Sequence, residues 1–232
     1  MATYHPLPSF ASPINVVNYG NQLKDLNKQL IADIDHCLDL EGKEKVDGAG
    51  AGDQQQTVLG LEKDYESFKI LSHIIQPAVH RAMMDYGYNP EYLDNHTKIF
   101  NFWGNRAYSG GWSRPHWHGH GYTLWTGVYY PAGFNDPNDD LDKFDINDYV
   151  RRWADADAMT GYLIIEDPAL FVKAQVAAGN TKWHSRPDHF SLRKFVRPRE
   201  SLLVLFPAWQ NHYVAPTDRK RYSISFAVNK EN

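Results

Sequence analysis

Apolar positions in the first part of the chain recur at helical spacing. One set follows steps of three and four and predicts a helix that ends near Glu41; its members are Leu23, Leu26, Leu30, Ile34 and Leu38. A second helix is predicted from Tyr65 to Tyr86, kinked at Pro77 and ended by Gly87. The segment between the two helices, Gly42 to Gln56, is rich in glycine and polar residues and predicts a flexible loop.

After residue 95 the pattern changes to short runs of β-branched and aromatic residues separated by turn-forming residues. Seven runs are predicted to be strands: Lys98–Trp103, Arg114–His120, Thr123–Tyr130, Gly161–Glu166, Ser201–Phe206, Tyr213–Ala215 and Arg221–Val228. Because no helical pattern separates them, we expect an antiparallel jelly roll, or double-stranded β-helix. The predicted fold is mainly β with an N-terminal α layer, in a single domain of residues 1–232. Its helical part, 1–95, packs on a jelly-roll core, 96–232.

Two segments interrupt the strand pattern. The first, residues 132–160, is acidic and contains Asp136, Asp139, Asp140, Asp142, Asp145, Asp148, Asp155 and Asp157. It lacks the turn glycine and terminal glutamate of a calcium loop, so it predicts an exposed, partly mobile excursion without calcium. The second runs from Pro168 to Arg199 and carries His184 and His189. Both are expected to border the mouth of a pocket.

Charge and composition narrow the class of protein. The chain has 24 basic and 28 acidic residues, a net charge of −4, and no basic stripe, which argues against a nucleic-acid partner. It contains no run of 18 apolar residues, so no membrane span is expected. Its N-terminus lacks the basic segment followed by an apolar segment that marks a signal peptide, so secretion is not expected either. The single cysteine, Cys37, cannot form an internal disulfide. We therefore expect a globular, cytoplasmic protein.

The histidine-rich segment from Arg114 to His120 carries the first chemical signal. On an extended strand, His116, His118 and His120 point to the same face, as a metal site that takes two imidazoles from one strand requires. A lone HxH also occurs at solvated strand ends. His212 strengthens the metal interpretation, because it follows an apolar strand that a jelly roll places beside the histidine strand.

The last predicted strand adds a cation. Arg221 and Ser223 share one face of a strand that is otherwise apolar or small. A buried arginine needs an anion, and a carboxylate matches its bidentate geometry. The alternative is an arginine at the barrel rim that pairs with a residue such as Asp218. With the histidines nearby, we favour a bound carboxylate.

The order of the motifs resembles the jelly-roll iron(II)- and 2-oxoglutarate-dependent oxygenases, in particular a small group with an HxH, SGVYY, FPxWxxH and RxSxSF pattern. The resemblance covers roughly Trp103 to Val228. It is carried by Trp103-Gly104-Asn105, Gly110-Gly111, the histidine cluster, Thr126-Gly127-Val128-Tyr129-Tyr130, Glu166-Asp167-Pro168, Phe206-Pro207 with Trp209 and His212, and Arg221 to Phe226.

This resemblance implies Fe(II) held by two histidines of the cluster and His212, with 2-oxoglutarate bound by Arg221 and Ser223. Four further residues are implied as secondary contacts to the co-substrate: Asn101, Asn105, Thr126 and Tyr130. The implied reaction uses molecular oxygen, releases succinate and CO2, and hydroxylates an unidentified small molecule or peptide. The sequence leaves the oligomeric state open.

Two features depart from the better-known members of this family. They use HxD, whereas every candidate second ligand here is a histidine, so iron follows from the resemblance and not from the donor set. The spacing counted from Trp103 selects His116 and His118, and the spacing counted back from Gly127 selects His118 and His120. We favour His116 with His118, because a loop after the pair absorbs an insertion more easily than the strand that enters it.

Two other functions remain open. A cupin-type metal enzyme that does not use 2-oxoglutarate also has a metal jelly roll, but Tyr122 and Thr123 stand where its motif has a glutamate. The second is a jelly roll that binds a ligand without turning it over.

Overall fold

The computed structural model describes residues 3–7, 14–40, 50–91, 93, 97–119, 123–134, 139–151, 159–168 and 193–230. Its helices are α1 (Lys24–Leu40), α2 (Glu66–Asp85) and the short α3 (Ile146–Tyr149), with 3-10 turns at Gly20–Leu23 and Leu61–Lys63. Its strands are β1 (Thr3–Leu7), β2 (Ile14–Asn18), β3 (Gly50–Ala51), β4 (Gln54–Gln56), β5 (Thr97–Ala107), β6 (Trp112–His116), β7 (Thr123–Tyr130), β8 (Val150–Arg151), β9 (Leu163–Glu166), β10 (Arg193–Val196), β11 (Leu202–Pro207), β12 (His212–Val214) and β13 (Arg221–Lys230).

The strands form two antiparallel sheets. The larger has the order β1-β2-β11-β7-β13-β5-β4 and the smaller has the order β3-β6-β12-β9-β10-β8. Apolar residues of both sheets, including Val128 and Leu202 of the larger and Leu163 and Val196 of the smaller, pack into one buried cluster. The expectation of a mainly β protein built from antiparallel sheets is confirmed, since two inner faces pack together around a shared core.

The two long helices pack on the other face of the larger sheet. Ile34 of α1 and Phe68 of α2 share a second buried cluster with Phe102 and Phe226 of the sheet. Both helices follow the predicted apolar spacing, and α2 continues through Pro77 and ends just before Gly87, whose φ is 95°. No helix among the described residues is long and apolar enough to cross a bilayer.

The N-terminal part, predicted to be mainly helical, also contains four strands that the sequence did not predict. β1 and β2 extend the larger sheet beside β11, and every residue of β2 is buried. The predicted flexible loop contains β3 and β4 between residues 50 and 56, while residues 41–49 lie outside the described part. These strands have two to five residues, too few to show a period in sequence, and β2, β3 and β4 pair with strands far along the chain.

The acidic excursion is only partly solvated. The aspartates at 139, 140, 142, 145 and 148 are exposed, as expected, but Leu141 and Tyr149 are buried, so the expectation of exposure is wrong for them. The buried guanidinium of Arg199 donates to the carbonyls of Asp140 and Lys143 at 3.1 and 2.8 Å and lies over the Tyr149 ring. Residues 135–138 and 152–158 lie outside the described part, and the absence of calcium stays a prediction.

A buried hydrogen-bond network joins α1 to the larger sheet and generates a stability prediction. The Tyr129 hydroxyl donates to Asn27 Oδ1 at 2.6 Å, and Asn27 Nδ2 donates to Ser201 at 3.0 Å. Tyr129→Phe leaves the Asn27 oxygen buried without a donor, so we expect a loss of about 1–3 kcal/mol in the free energy of unfolding. Tyr86→Phe, at an exposed tyrosine, is the matched control, with an expected change within about 0.5 kcal/mol. Urea denaturation measures both; equal stability of the two variants would contradict the prediction.

Candidate metal and co-substrate site

The pairing of β6 with β12 brings two of the predicted histidines face to face. His116 is the last residue of β6 and His212 the first of β12, and the two are direct partners across the antiparallel ladder. Their ring centroids lie 4.3 Å apart. The two motifs lie 94 or more residues apart in the sequence. Strand pairing alone brings them together, as expected for neighbouring strands of a jelly roll.

His118 completes the cluster from outside the strand. β6 ends at His116, so the expectation that the histidines share one extended strand is wrong beyond that residue. The backbone N–H of His118 donates to the carbonyl of Ala208 at 2.8 Å, which ties this segment to the chain just before His212. The His118 ring lies 5.0 and 5.1 Å from the other two rings, and one ligand nitrogen from each histidine lies within 4.8 Å of the others.

Backbone carbonyls select the ring nitrogens that remain free. His116 Nδ1 donates to the carbonyl of Arg114 at 2.7 Å, and His212 Nδ1 donates to the carbonyl of Gln210 at 2.9 Å. A carbonyl oxygen only accepts, so each Nδ1 carries the proton and each Nε2 keeps its lone pair for a metal.

Burial favours the neutral form of these rings. It lowers the pKa of His116, and burial together with the imidazoles of His116 and His118 holds the pKa of His212 well below its usual value. The rings therefore stay unprotonated, and able to bind a metal, at a lower pH than an exposed histidine.

The alternative ligand, His120, and the two histidines of the second excursion, His184 and His189, lie outside the described residues. Within the described residues, the group His116, His118 and His212 is the one whose ligand atoms could hold a metal ion. Imidazole nitrogens suit iron, zinc, nickel and copper, so the donor set accommodates iron without selecting it.

Arg221 lies in the interior beside this cluster. Alternation along β13 points Arg221, Ser223 and Ser225 into the cavity and packs Tyr222, Ile224 and Phe226 against the helix side. The Arg221 side chain is 3% exposed, donates to Ser223 Oγ at 3.2 Å and to the Tyr130 hydroxyl at 3.5 Å, and leaves its Nε without a partner.

No carboxylate of the described residues neutralises Arg221. Asp218, the partner considered from the sequence, pairs instead with Arg219 at 2.7 Å. Burial raises the pKa of Tyr130 more than the neighbouring Arg221 lowers it, so the phenol stays protonated and supplies no negative charge. A buried cation without a carboxylate is costly, and Arg221 lines the cavity, where an anionic ligand would offset that cost.

One cavity connects the histidines with Arg221. Asn105, Thr126 and Ser223, which the resemblance implies as co-substrate contacts, line it, while the Tyr130 ring lies 5.3 Å from the guanidinium carbon of Arg221. Sequence reasoning missed several lining residues: Gln54, Gln56, Trp103, Ser113 and Ser225. Trp103 and Ser225 share strand faces with predicted residues, so alternation was the available signal for them. Ser113 lies on the cavity side because the register of β6 shifts between His116 and Ser113, which alternation does not predict.

The structure does not bring Asn101 to the cavity. Strand alternation from Trp103 and Asn105 would place it there, but β5 has an irregular register opposite Phe226, and Asn101 has a φ of 54°. The carboxylate of Glu62 accepts the backbone N–H groups of Asn101 and Phe102 at 3.1 and 3.0 Å. A bulge of this kind shifts the alternation by one residue, which removes Asn101 from the cavity face.

Comparison with solved structures identifies the fold. No protein-family model and no curated protein sequence matches the chain. A prolyl-4-hydroxylase from Pseudomonas putida matches with a TM-score of 0.53 and 14% identity, covering 100% of this chain and 93% of its own. A prolyl hydroxylase from Trichoplax adhaerens, solved with a peptide fragment of the hypoxia inducible factor oxygen degradation domain, has a TM-score of 0.55 and 14% identity, covering 93% and 83%.

A viral collagen prolyl hydroxylase from Paramecium Bursaria Chlorella virus-1, solved as a 2OG complex, gives a TM-score of 0.54 at 9% identity, covering 93% of this chain and 94% of its own. Identities at this level show a shared fold. The chain therefore has the jelly-roll fold of these hydroxylases.

The histidine cluster generates a prediction about metal binding. Changes to residues that only orient a ligand cost about 10- to 100-fold in metal affinity, so loss of a ligand costs more than about 100-fold. We expect that loss for His116→Ala, His118→Ala and His212→Ala, measured by calorimetry with Ni²⁺ or by metal content after Fe(II) loading. His120→Ala and the exposed His73→Ala are the controls and should retain binding. Full metal content in the folded His118→Ala protein would disprove the site.

Proposed function

We propose that the protein is an iron(II)- and 2-oxoglutarate-dependent oxygenase of the hydroxylase type. The observation that carries the proposal is the position of Arg221, a buried cation without a carboxylate, in the same cavity as three histidines arranged to hold a metal. The shared fold with prolyl hydroxylases supports it. We further propose that the chain works as one domain, with residues 1–95 packed on the jelly roll.

The cavity fits 2-oxoglutarate at the Arg221 end. A dicarboxylate held by a metal at one end requires a fixed cation at the other, and a guanidinium offers two parallel donors to a carboxylate. Arg221 has an unused, buried Nε, and Ser223 holds its Nη1 at 3.2 Å, so the fork is oriented before a ligand enters. We propose Arg221 and Ser223 as the binding residues, with Asn105 and Thr126 as further contacts.

We propose that His116, His118 and His212 hold the iron. Three protein nitrogens leave positions open for a bidentate keto acid and for oxygen. When bound, iron would let molecular oxygen act as the oxidant: one oxygen atom would enter succinate as 2-oxoglutarate loses CO2, and the other would hydroxylate a C–H bond.

The chain's own part in the reaction is to position the reactants and to exclude water. Val128, Leu163 and Val214 form an apolar section of the cavity wall, and His212 is buried against Phe206. A dry wall beside the metal strengthens the attraction between Arg221 and a carboxylate, because the local dielectric is low.

A cupin-type enzyme without 2-oxoglutarate is the second candidate. The cupin motif has a glutamate where this chain has Tyr122 and Thr123. Among the described residues, no carboxylate joins the histidine cluster. This candidate gives no role to the uncompensated charge of Arg221, which is why we favour the oxygenase.

The first test of the proposed function is succinate release. Protein loaded with Fe(II) and ascorbate should convert 2-oxoglutarate to succinate, slowly alone and faster with a substrate. The screen covers amino acids, peptides and small metabolites. His212→Ala protein, incubated with the same Fe(II) and ascorbate, is the control and should release no succinate above background. A non-catalytic binding protein would hold 2-oxoglutarate without releasing succinate under any of these conditions.

The second test isolates the Arg221 contact. Arg221→Ala should weaken 2-oxoglutarate binding at least about thirtyfold, because removal of one partner of a buried charge pair costs about 2–5 kcal/mol. Metal affinity should stay the same, since Arg221 is not a ligand. Arg219→Ala removes an exposed arginine two residues away and should leave 2-oxoglutarate affinity unchanged. Calorimetry with the Ni²⁺-loaded proteins measures both, and unaltered affinity in a folded Arg221→Ala protein would refute the proposed role.

A further inference from the structure

The short segment that contains β3 and β4, residues 50–56, contributes Gly50, Gln54 and Gln56 to the wall of the cavity. β3 pairs with β6 of the smaller sheet through Gly50 and Ser113, while β4 pairs with β5 of the larger sheet through Gln56 and Asn105. One short segment therefore supplies an edge strand to each sheet and links the two sheets at that edge. Its side chains form a wall of the site and are held at both ends by backbone hydrogen bonds.

Alternation along β4 separates its three glutamines. Gln55 lies on the outer face, where its Oε1 accepts from Arg106 at 2.9 Å. Gln54 and Gln56 line the cavity. Across the sheet, β5 places Ala107 between Gln54 and Arg221, and Asn105 between Gln56 and Ser223. The two amides thus stand two strands away from the residues proposed to bind 2-oxoglutarate.

The Gln54 amide has an unsatisfied acceptor. Its Oε1 is buried without a hydrogen-bond partner, while its Nε2 lies 3.2 Å from the position that a Cβ on Gly50 would take. Gly50 therefore leaves room for this amide against the backbone of β3. A buried carbonyl oxygen without a donor has lost its hydration and gained no hydrogen bond, which is unfavourable. A ligand with an N–H group at this position would restore the missing hydrogen bond.

The cavity offers no partner for a cationic ligand. Apart from the imidazoles, Arg221 is the one ionisable side chain among the described lining residues. With the proposed function in place, a divalent metal, the dianion 2-oxoglutarate and Arg221 sum to one positive charge. A cationic substrate group would be repelled by this positive charge. A substrate carboxylate would be repelled by the unsatisfied oxygen of Gln54 and would find no free cation, because Arg221 already binds 2-oxoglutarate.

We propose that the group of the prime substrate that enters this cavity is an uncharged hydrogen-bond donor of the carboxamide type, received by Gln54 with Gln56 and Asn105. This inference rests on the proposed function for the place of 2-oxoglutarate. An amide N–H supplies the donor that Gln54 Oε1 lacks, and the side-chain N–H groups of Gln56 and Asn105 can donate to its carbonyl oxygen.

Three probes on one carbon skeleton test the proposal: butanamide, butanoate and butylammonium. Saturation-transfer NMR on the Ni²⁺- and 2-oxoglutarate-loaded protein measures binding without turnover. Butanamide should bind the wild type best. Gln54→Leu should weaken it about three- to tenfold, the effect of one hydrogen bond. Gln54→Glu should reverse the preference toward butylammonium, because it adds a buried negative charge.

Gln22→Glu, on an exposed turn, makes the same charge change away from the cavity and should keep the wild-type preference. Gln56→Leu is the second variant in case Gln54→Leu does not fold, and it should also weaken butanamide. Tighter wild-type binding of either charged probe, no binding of any probe, or unaltered binding in both leucine variants would overturn the proposal. Bound 2-oxoglutarate is observed in the same samples, so its absence would count against the proposed function instead. A Gln54 variant that lost 2-oxoglutarate rather than butanamide would assign this wall to the co-substrate.

Discussion

A β-strand must send successive side chains to opposite faces of its sheet, and the organisation of this protein depends on how β13 meets that constraint. Tyr222, Ile224 and Phe226 face the helices and fill the buried cluster there, so the register of β13 cannot slip without exposing them. The same register sends Arg221 and Ser223 into the cavity. The apolar half of the strand thereby offsets the cost of keeping a guanidinium 3% exposed.

The helix side reinforces this register. Asp35 of α1 accepts from the Tyr222 hydroxyl at 2.7 Å and from Arg106 Nη1 at 2.6 Å. Tyr222 directly follows Arg221. Helix α1 does not line the cavity, yet by binding Tyr222 it helps to fix the backbone of β13 that positions Arg221 there. Packing on one face and chemistry on the other are consequences of the same strand alignment.

The residues that a local pattern specifies could be predicted from the sequence. Helical spacing predicted α1 and α2, and alternation predicted that Arg221 and Ser223 share a face. Features set by long-range pairing could not be predicted: β4 consists of three glutamines whose strand character comes from pairing with β5. The positive φ of Asn101 belongs to the same class, because the carboxylate of Glu62, 39 residues earlier, accepts the N–H groups at the bulge.

The way the histidines are oriented bears on the charge of the whole site. Metal-binding histidines often donate their second ring nitrogen to a carboxylate, which adds negative charge beside the metal. Here His116 and His212 donate instead to the carbonyls of Arg114 and Gln210, each two residues earlier in the chain. The rings of His116 and His212 are therefore oriented without an ionised group, and a neutral imidazole adds no charge of its own. A divalent metal in this set keeps its full charge, and Arg221 adds another, so the cavity favours a dianion and disfavours a cation.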